Sequence, residues 1–206
     1  PVEIPLPAPG ASVTGELPCP EADGSSERTT KFEQGPSFCI DEAGSYTATL
    51  ATSEGDIVIE LDPATSPVAV NNFVVLARYH FYDGVAFHRI VPGFVNQAGD
   101  PVGPTPGTGG PGYSIPDEYP RDPTTAYQPG TVAMARTQEP NSAGSQFFIV
   151  IGDEDGALAS AGTYAVLGKV ISGMDVAQAI NAFGSDTPNG DPTKVVTIDT
   201  VTITEG

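Results

Sequence analysis

Short alternating segments, cut by glycine and proline, constrain this chain more than any other feature. SYTATLAT (45–52) and DIVIELD (56–62) alternate along the chain, with Ser53-Glu54-Gly55 as a turn between them. That is the pattern of a hairpin with one buried face. VAFHRI, GFVNQAG, GTVAMA, SQFFIVIG and YAVLGKVI follow as strand-like pieces, and KVVTIDTVTIT near the C-terminus alternates again. The 24 glycines and 21 prolines favour a loop-rich β protein over a helical one. Only two segments carry a helical stripe. In the first, Ser66 suits an N-cap, Pro67 the first helical position, and Val70, Phe73, Val74 and Ala77 recur at i, i+3, i+4 and i+7. In the second, residues 173–183, Val176, Ala179, Ile180 and Phe183 repeat the spacing and Gly184 supplies the stop. Many short strands with two helices fit a closed antiparallel barrel capped by helices.

A length of 206 residues allows one such domain with a tail. Residues 1–18 hold five prolines and little periodicity, which reads as a linker or tether. Residues 19–45 read as an irregular extension carrying both cysteines, Cys19 and Cys39. There is no CxxC and no histidine-rich partner, so a four-ligand zinc site is not supplied. A Cys19–Cys39 disulfide is the favoured reading. It would close a loop of about twenty residues, contribute ~3 kcal/mol, and imply an oxidising compartment. Two buried free thiols are the alternative. The start at Pro1 without methionine fits removal of a signal or anchor segment. Eight basic against 26 acidic residues give a net charge of −18, which repels nucleic acid and anionic membranes.

Chemistry is concentrated in AFHRIVPGFVNQAGD (86–100), where an apolar wall carries Arg89 and Gln97. Taken singly, Arg89 reads as a strand-edge arginine with a carboxylate partner, and Gln97 and Gln146 as paired core amides. His88 is expected to face away from Arg89, because strand neighbours alternate, and to be a satisfied structural histidine. His80 reads as a helix-terminus residue; Phe87, Met134 and Phe147 read as core. GTGGPGY (107–113) lacks the lysine of a phosphate loop, and GDEDGALAS (152–160) has the flavour of a calcium loop without its later ligands. No metal and no cofactor are expected.

FHRIVPGFVNQAGD, GTGG, GTVAMA and NSAGSQFFI, in this order, strongly resemble the cyclophilins, which are peptidyl-prolyl cis/trans isomerases. The resemblance spans residues 46–204. It implies a mainly β fold, a closed eight-stranded antiparallel barrel capped by two α-helices, as one domain over residues 46–206. It also implies that Arg89, Gln97 and Phe94 are catalytic, and that Val95, Gly107, Ala135, Arg136, Gln146, Phe148, Leu158 and Tyr164 bind substrate. The leader, with CPEADGSSERTTKF and FCID, resembles that of secreted or surface actinobacterial members. An extracytoplasmic folding helper acting on proline-containing segments of client proteins, and a monomer, is therefore expected. The alternative is a module that holds such segments with little turnover; an adhesion role for the leader is a third reading. On the isomerase reading the barrel alone should keep the activity without residues 1–45.

The chain departs from the family pattern at several places. Val95 stands where the best-known members carry methionine, which makes the pocket floor smaller. Arg136 replaces the common asparagine and MARTQEPN holds one extra residue. Tyr164 stands where many eukaryotic members have histidine. There is no tryptophan in the chain, so the indole that many members offer to cyclosporin is missing. Weak or absent cyclosporin binding is expected, and a submicromolar dissociation constant by calorimetry would contradict it.

Overall fold

The structure, a computed structural model, describes residues 2–206; Pro1, on which the expectation of a processed start rests, lies outside them. Its strands are β1 (Ala11–Val13), β2 (Thr29–Phe32), β3 (Tyr46–Thr52), β4 (Gly55–Leu61), β5 (Val85–Ala86), β6 (Arg89–Val91), β7 (Val95–Ala98), β8 (Thr131–Met134), β9 (Phe147–Val150), β10 (Val166–Ser172) and β11 (Thr197–Glu205). Its helices are α1 (Pro67–Arg78), α2 (Pro123–Ala126), α3 (Ala157–Ala161) and α4 (Met174–Asn181). Nine strands form one antiparallel sheet in the order β5-β11-β3-β4-β10-β8-β9-β7-β6. Its two end strands are pieces of one segment, interrupted at Phe87 and His88. Counted as one broken strand, that segment pairs with β11 through its first half and β7 through its second, and eight strands close on themselves.

The alternation seen in the sequence becomes the inside and outside of this barrel. Along β3, Tyr46, Ala48, Leu50 and Thr52 are buried and the residues between them are not. Phe73 stacks on Tyr82 at 5.1 Å between ring centroids, and Phe147 meets both edge-on at 5.4 and 5.6 Å. Each such ring contributes about 1.5–3 kcal/mol by leaving water, and each pair ~0.5–1.5 kcal/mol more.

Helix α1 buries every residue from Ala69 to Arg78 against this core. Pro67 takes the first-turn position as its fixed φ suggests. Ser66 stands at the N-cap but its hydroxyl makes no capping bond. Instead the Glu118 carboxylate accepts the Val68 and Ala69 N–H groups at 3.0 and 2.8 Å. A carboxylate there satisfies two orphan donors and opposes the positive end of the helix dipole. Glu118→Ala is expected to lower stability by about 1–2 kcal/mol while Ser66→Ala changes little, read as urea-unfolding midpoints. A larger loss at Ser66 would reverse the assignment.

Two short helices add to the two expected. Asp122 caps α2 by accepting the Thr124 N–H at 3.0 Å. Helix α3 lies between Gly156 and Gly162, both left-handed. The Asp153 carboxylate, from the loop with a calcium flavour, accepts the Leu158 and Ala159 N–H groups at 3.1 and 3.2 Å.

The segment read as a tether is seated on the body. β1 pairs in parallel with β2, and Leu17 and Phe32 are 2% and 3% exposed within the main core. Cys19 and Cys39 are joined by a disulfide, with their Cα atoms 5.4 Å apart. The Asn71 side chain of α1 accepts the Cys39 N–H at 2.8 Å and donates to the Ser37 carbonyl at 3.0 Å.

Candidate substrate-binding site

Register alone builds one wall of the site. Arg89 on β6 stands opposite Gln97 on β7, Gln97 opposite Phe148 on β9, and Phe148 opposite Ala133 on β8. Directly opposed residues share a face of the sheet. Their strand neighbours Ile90, Asn96, Phe147 and Ile149 are fully buried in the barrel, so this row faces outward. Phe147 and Phe148, adjacent in sequence, thus belong to different clusters. Phe148 meets Tyr164 edge-on at 5.2 Å. A cavity of about 200 Å³ opens over the row, lined by Arg89, Phe94, Val95, Gln97, Ala135, Arg136, Phe148, Leu158 and Tyr164. Nine of the eleven residues singled out as catalytic or substrate-binding meet here. Gly107 and Gln146 line a neighbouring cavity of about 390 Å³, which shares Gln97, Ala135 and Arg136 with the first.

A directed chain of hydrogen bonds joins the two cavities. Arg89 Nη1 donates to Gln97 Oε1 at 3.4 Å, and Gln97 Nε2 donates to Gln146 Oε1 at 3.0 Å. Gln146 Nε2 donates to the carbonyls of Gly107 and Gly109, each at 3.0 Å. An amide has a donor end and an acceptor end, so the cation fixes the sense of the whole chain. Among the described residues Arg89 makes no salt bridge. Burial lowers its pKa from the ordinary value while Tyr164 opposes the change. An arginine stays charged through such a shift, so a cation without a carboxylate looks into an apolar cup. Such a group can donate to a lone pair that develops in the cavity, where a hydrogen bond is stronger than in water.

Asp100 completes the frame and was not singled out in the sequence. Its carboxylate accepts N–H groups of Val102, Gly103 and Gly109 at 3.0, 2.9 and 2.7 Å and so folds the glycine-rich loop back on itself. The available signal was an aspartate heading a run of Pro and Gly, where its side chain can bond backbone a few residues on.

Ala135 and Arg136 form the ridge between the cavities. The Ala135 N–H donates to the Gln146 carbonyl at 2.8 Å, so a ligand must use other backbone groups of the pair. The Arg136 guanidinium faces Asp117 at 3.5 Å and donates to the carbonyls of Glu139 and Thr163 at 2.8 and 3.4 Å. This side chain ties three loops together at the ridge.

His88 departs from the expectation. The break between β5 and β6 shifts the alternation by one, so Phe87 and Ile90 both point inward. His88 does not turn away from the site: it packs under the glycine-rich loop, where a Cβ on Gly107 would stand 2.6 Å from its Cδ2. Nor is it satisfied, since its Nδ1 is buried without a hydrogen-bond partner among the described residues. Burial pushes its pKa down to about 4, with Arg89 adding to the drop and Asp100 and Gln146 opposing it. The unfolded chain therefore binds a proton near pH 6.5 that the folded one refuses. The stability from neutral His88 is complete above that pH and is lost as pH falls toward 4. Melting temperatures of wild type and His88→Gln should converge or cross over that window; a constant difference would contradict it. His80 follows α1 as expected, with Nδ1 3.0 Å from Asp83 and Nε2 2.8 Å from the Gly24 carbonyl.

With this geometry in hand, comparison with known proteins is decisive. The family model "Cyclophilin type peptidyl-prolyl cis-trans isomerase/CLD" matches residues 47–203. The chain belongs to the cyclophilin family. A Brucella suis protein named "Probable peptidyl-prolyl cis-trans isomerase" is 41% identical over 163 residues, covering 73% of this chain and 80% of that protein. "Peptidyl-prolyl cis-trans isomerase B" of Bacillus subtilis is 41% identical over 143 residues, covering 69% and 90%. Among solved structures, a Cryptosporidium parvum cyclophilin type peptidyl-prolyl cis-trans isomerase superposes with a TM-score of 0.68 at 29% identity, covering 79% of this chain and 99% of that one. A second structure, of the same Cryptosporidium protein in the presence of the dipeptide Ala-Pro, also gives 0.68 at 30% identity, covering 78% and 99%. The cyclophilin match begins after the disulfide, so residues 2–45 lie outside it.

Proposed function

We propose that this protein is a peptidyl-prolyl cis/trans isomerase that binds proline-containing segments of client proteins over the Arg89–Phe148 row and speeds rotation about the X-Pro bond. The observation that carries the reading is the unpaired Arg89 cation facing an apolar cup of Phe94, Phe148 and Leu158. The Cryptosporidium relative crystallised in the presence of Ala-Pro supports the substrate class. Rotation about a peptide bond faces a barrier of about 18–20 kcal/mol from C–N double-bond character. No bond breaks, so no nucleophile is needed. A catalyst has to bind the twisted state more tightly than either planar one.

At the twist the prolyl nitrogen becomes pyramidal and regains its lone pair. Arg89 donates to that lone pair. Gln97 holds the guanidinium from below while Phe94, Val95, Phe148 and Leu158 grip the ring, so that rotation proceeds on the other side of the bond. The ridge at 135–136 pins the chain. The Cys19–Cys39 disulfide supports action outside the cytoplasm, where such bonds persist, as a helper in folding. The test is the slow, proline-limited phase of a refolding protein, which lasts tens to hundreds of seconds unaided. Substoichiometric amounts of this protein should shorten it; an unchanged phase would overturn the reading.

A further inference from the structure

The segment that lies outside the family match reaches the site. On β2, the Phe32 N–H donates to the Pro111 carbonyl at 2.8 Å, and its ring lies 6.3 Å from that of Tyr113. Pro111 and Tyr113 both line the larger cavity. Between them Gly112 has φ +110°, and a Cβ there would collide with the Phe32 carbonyl oxygen. Gly35 closes on the same ring, with 3.2 Å from a Cβ to Tyr113 Cδ2. The far end of Tyr113 is fixed too: its hydroxyl donates to Asn72 Oδ1 at 2.7 Å, and Asn72 Nδ2 donates to the Gly144 carbonyl at 2.8 Å. Phe32 itself is packed at 5.5 Å from Tyr79 and 6.3 Å from Phe81, so it is a fixed post rather than a loose flap.

We propose that the N-terminal extension belongs to the substrate-binding apparatus. Phe32 is a positioning residue that sets the Pro111–Tyr113 wall of the larger cavity, and thereby the affinity for peptides long enough to run from the proline cup into that cavity. Residues 1–45 are then not separable from the activity toward such peptides. The disulfide contributes to this, because the loop it closes, from Cys19 to Cys39, carries Phe32. Among the described residues there is no free cysteine, so a reductant acts on that bond alone. The proposal rests on the isomerase reading of the same site.

The test uses the full chain in three forms: oxidised wild type, reduced wild type, and Phe32→Ala. Two substrates are compared, a blocked X-Pro dipeptide and a peptide of about ten residues with a central proline, which at about 3.3–3.6 Å per residue spans both cavities. For the long peptide, KM should rise roughly three- to tenfold in the reduced form and in Phe32→Ala with kcat nearly unchanged, a loss of binding rather than of chemistry. The dipeptide should be turned over equally by all three forms. Amide resonances of residues 107–113 should shift on reduction. An equal KM rise for both substrates would reduce Phe32 to a general stabiliser. Unchanged KM values in a folded, reduced protein would overturn the proposal, and reduction supplies that answer if Phe32→Ala does not fold. If the oxidised wild type speeds neither substrate, it is the isomerase reading that fails. Unshifted 107–113 resonances on reduction would then overturn the coupling separately.

Discussion

Arg89→Ala should reduce kcat/KM for an X-Pro peptide on the order of a hundredfold, which is about 2.7 kcal/mol of barrier. In the proposed mechanism the cation donates to the lone pair that only the twisted state offers, so its loss should fall on kcat. Arg89→Lys should recover only part of the rate, because an ammonium on a flexible stem lacks the planar fork that Gln97 steadies. Stability should barely move, since the side chain is half-buried and makes one long hydrogen bond. A protease-coupled assay beside a denaturation curve reads both. A variant that keeps wild-type kcat would remove Arg89 from the chemistry.

Phe147→Ala and Phe148→Ala should fail in opposite ways although they change neighbouring residues. Phe147 is fully buried against Phe73 and Tyr82, and its truncation leaves a cavity in the barrel. A loss of about 3–5 kcal/mol is expected, with the surviving folded fraction still active. Phe148 belongs to the smaller cluster with Val95 and Leu158 and floors the outer cavity. Its truncation should raise KM strongly while stability falls by less. Urea midpoints and steady-state kinetics on both variants separate the two effects. Similar profiles for the pair would mean that the two rings do not face opposite sides.

The same pair shows what the sequence made legible. The resemblance to cyclophilin motifs gathered Arg89, Phe94, Gln97 and Phe148 at one site. Alternation alone supplied only a mainly β chain with two helices, and Phe94 lies in the turn between β6 and β7, where period 2 does not run. The alternation failed at His88, where the strand breaks after Ala86 and parity is not carried across. Helices α2 and α3 have four and five residues, too few to display a stripe. Glu118 caps α1 from about fifty residues away, a pairing that local reading cannot supply. Residues 1–18 looked like a tether because their prolines and polar residues hide one buried anchor, Leu17, and a short strand, β1, that pairs with β2.

The central claim is turnover at the Arg89 cup, and exchange NMR on a short X-Pro peptide with substoichiometric protein tests it most directly. The predicted result is cis/trans exchange far faster than the uncatalysed tens to hundreds of seconds, with the catalysed rate lowered on the order of a hundredfold in Arg89→Ala. Peptide shifts that titrate with the protein while exchange stays at the uncatalysed rate would contradict it and leave a module that only holds proline segments.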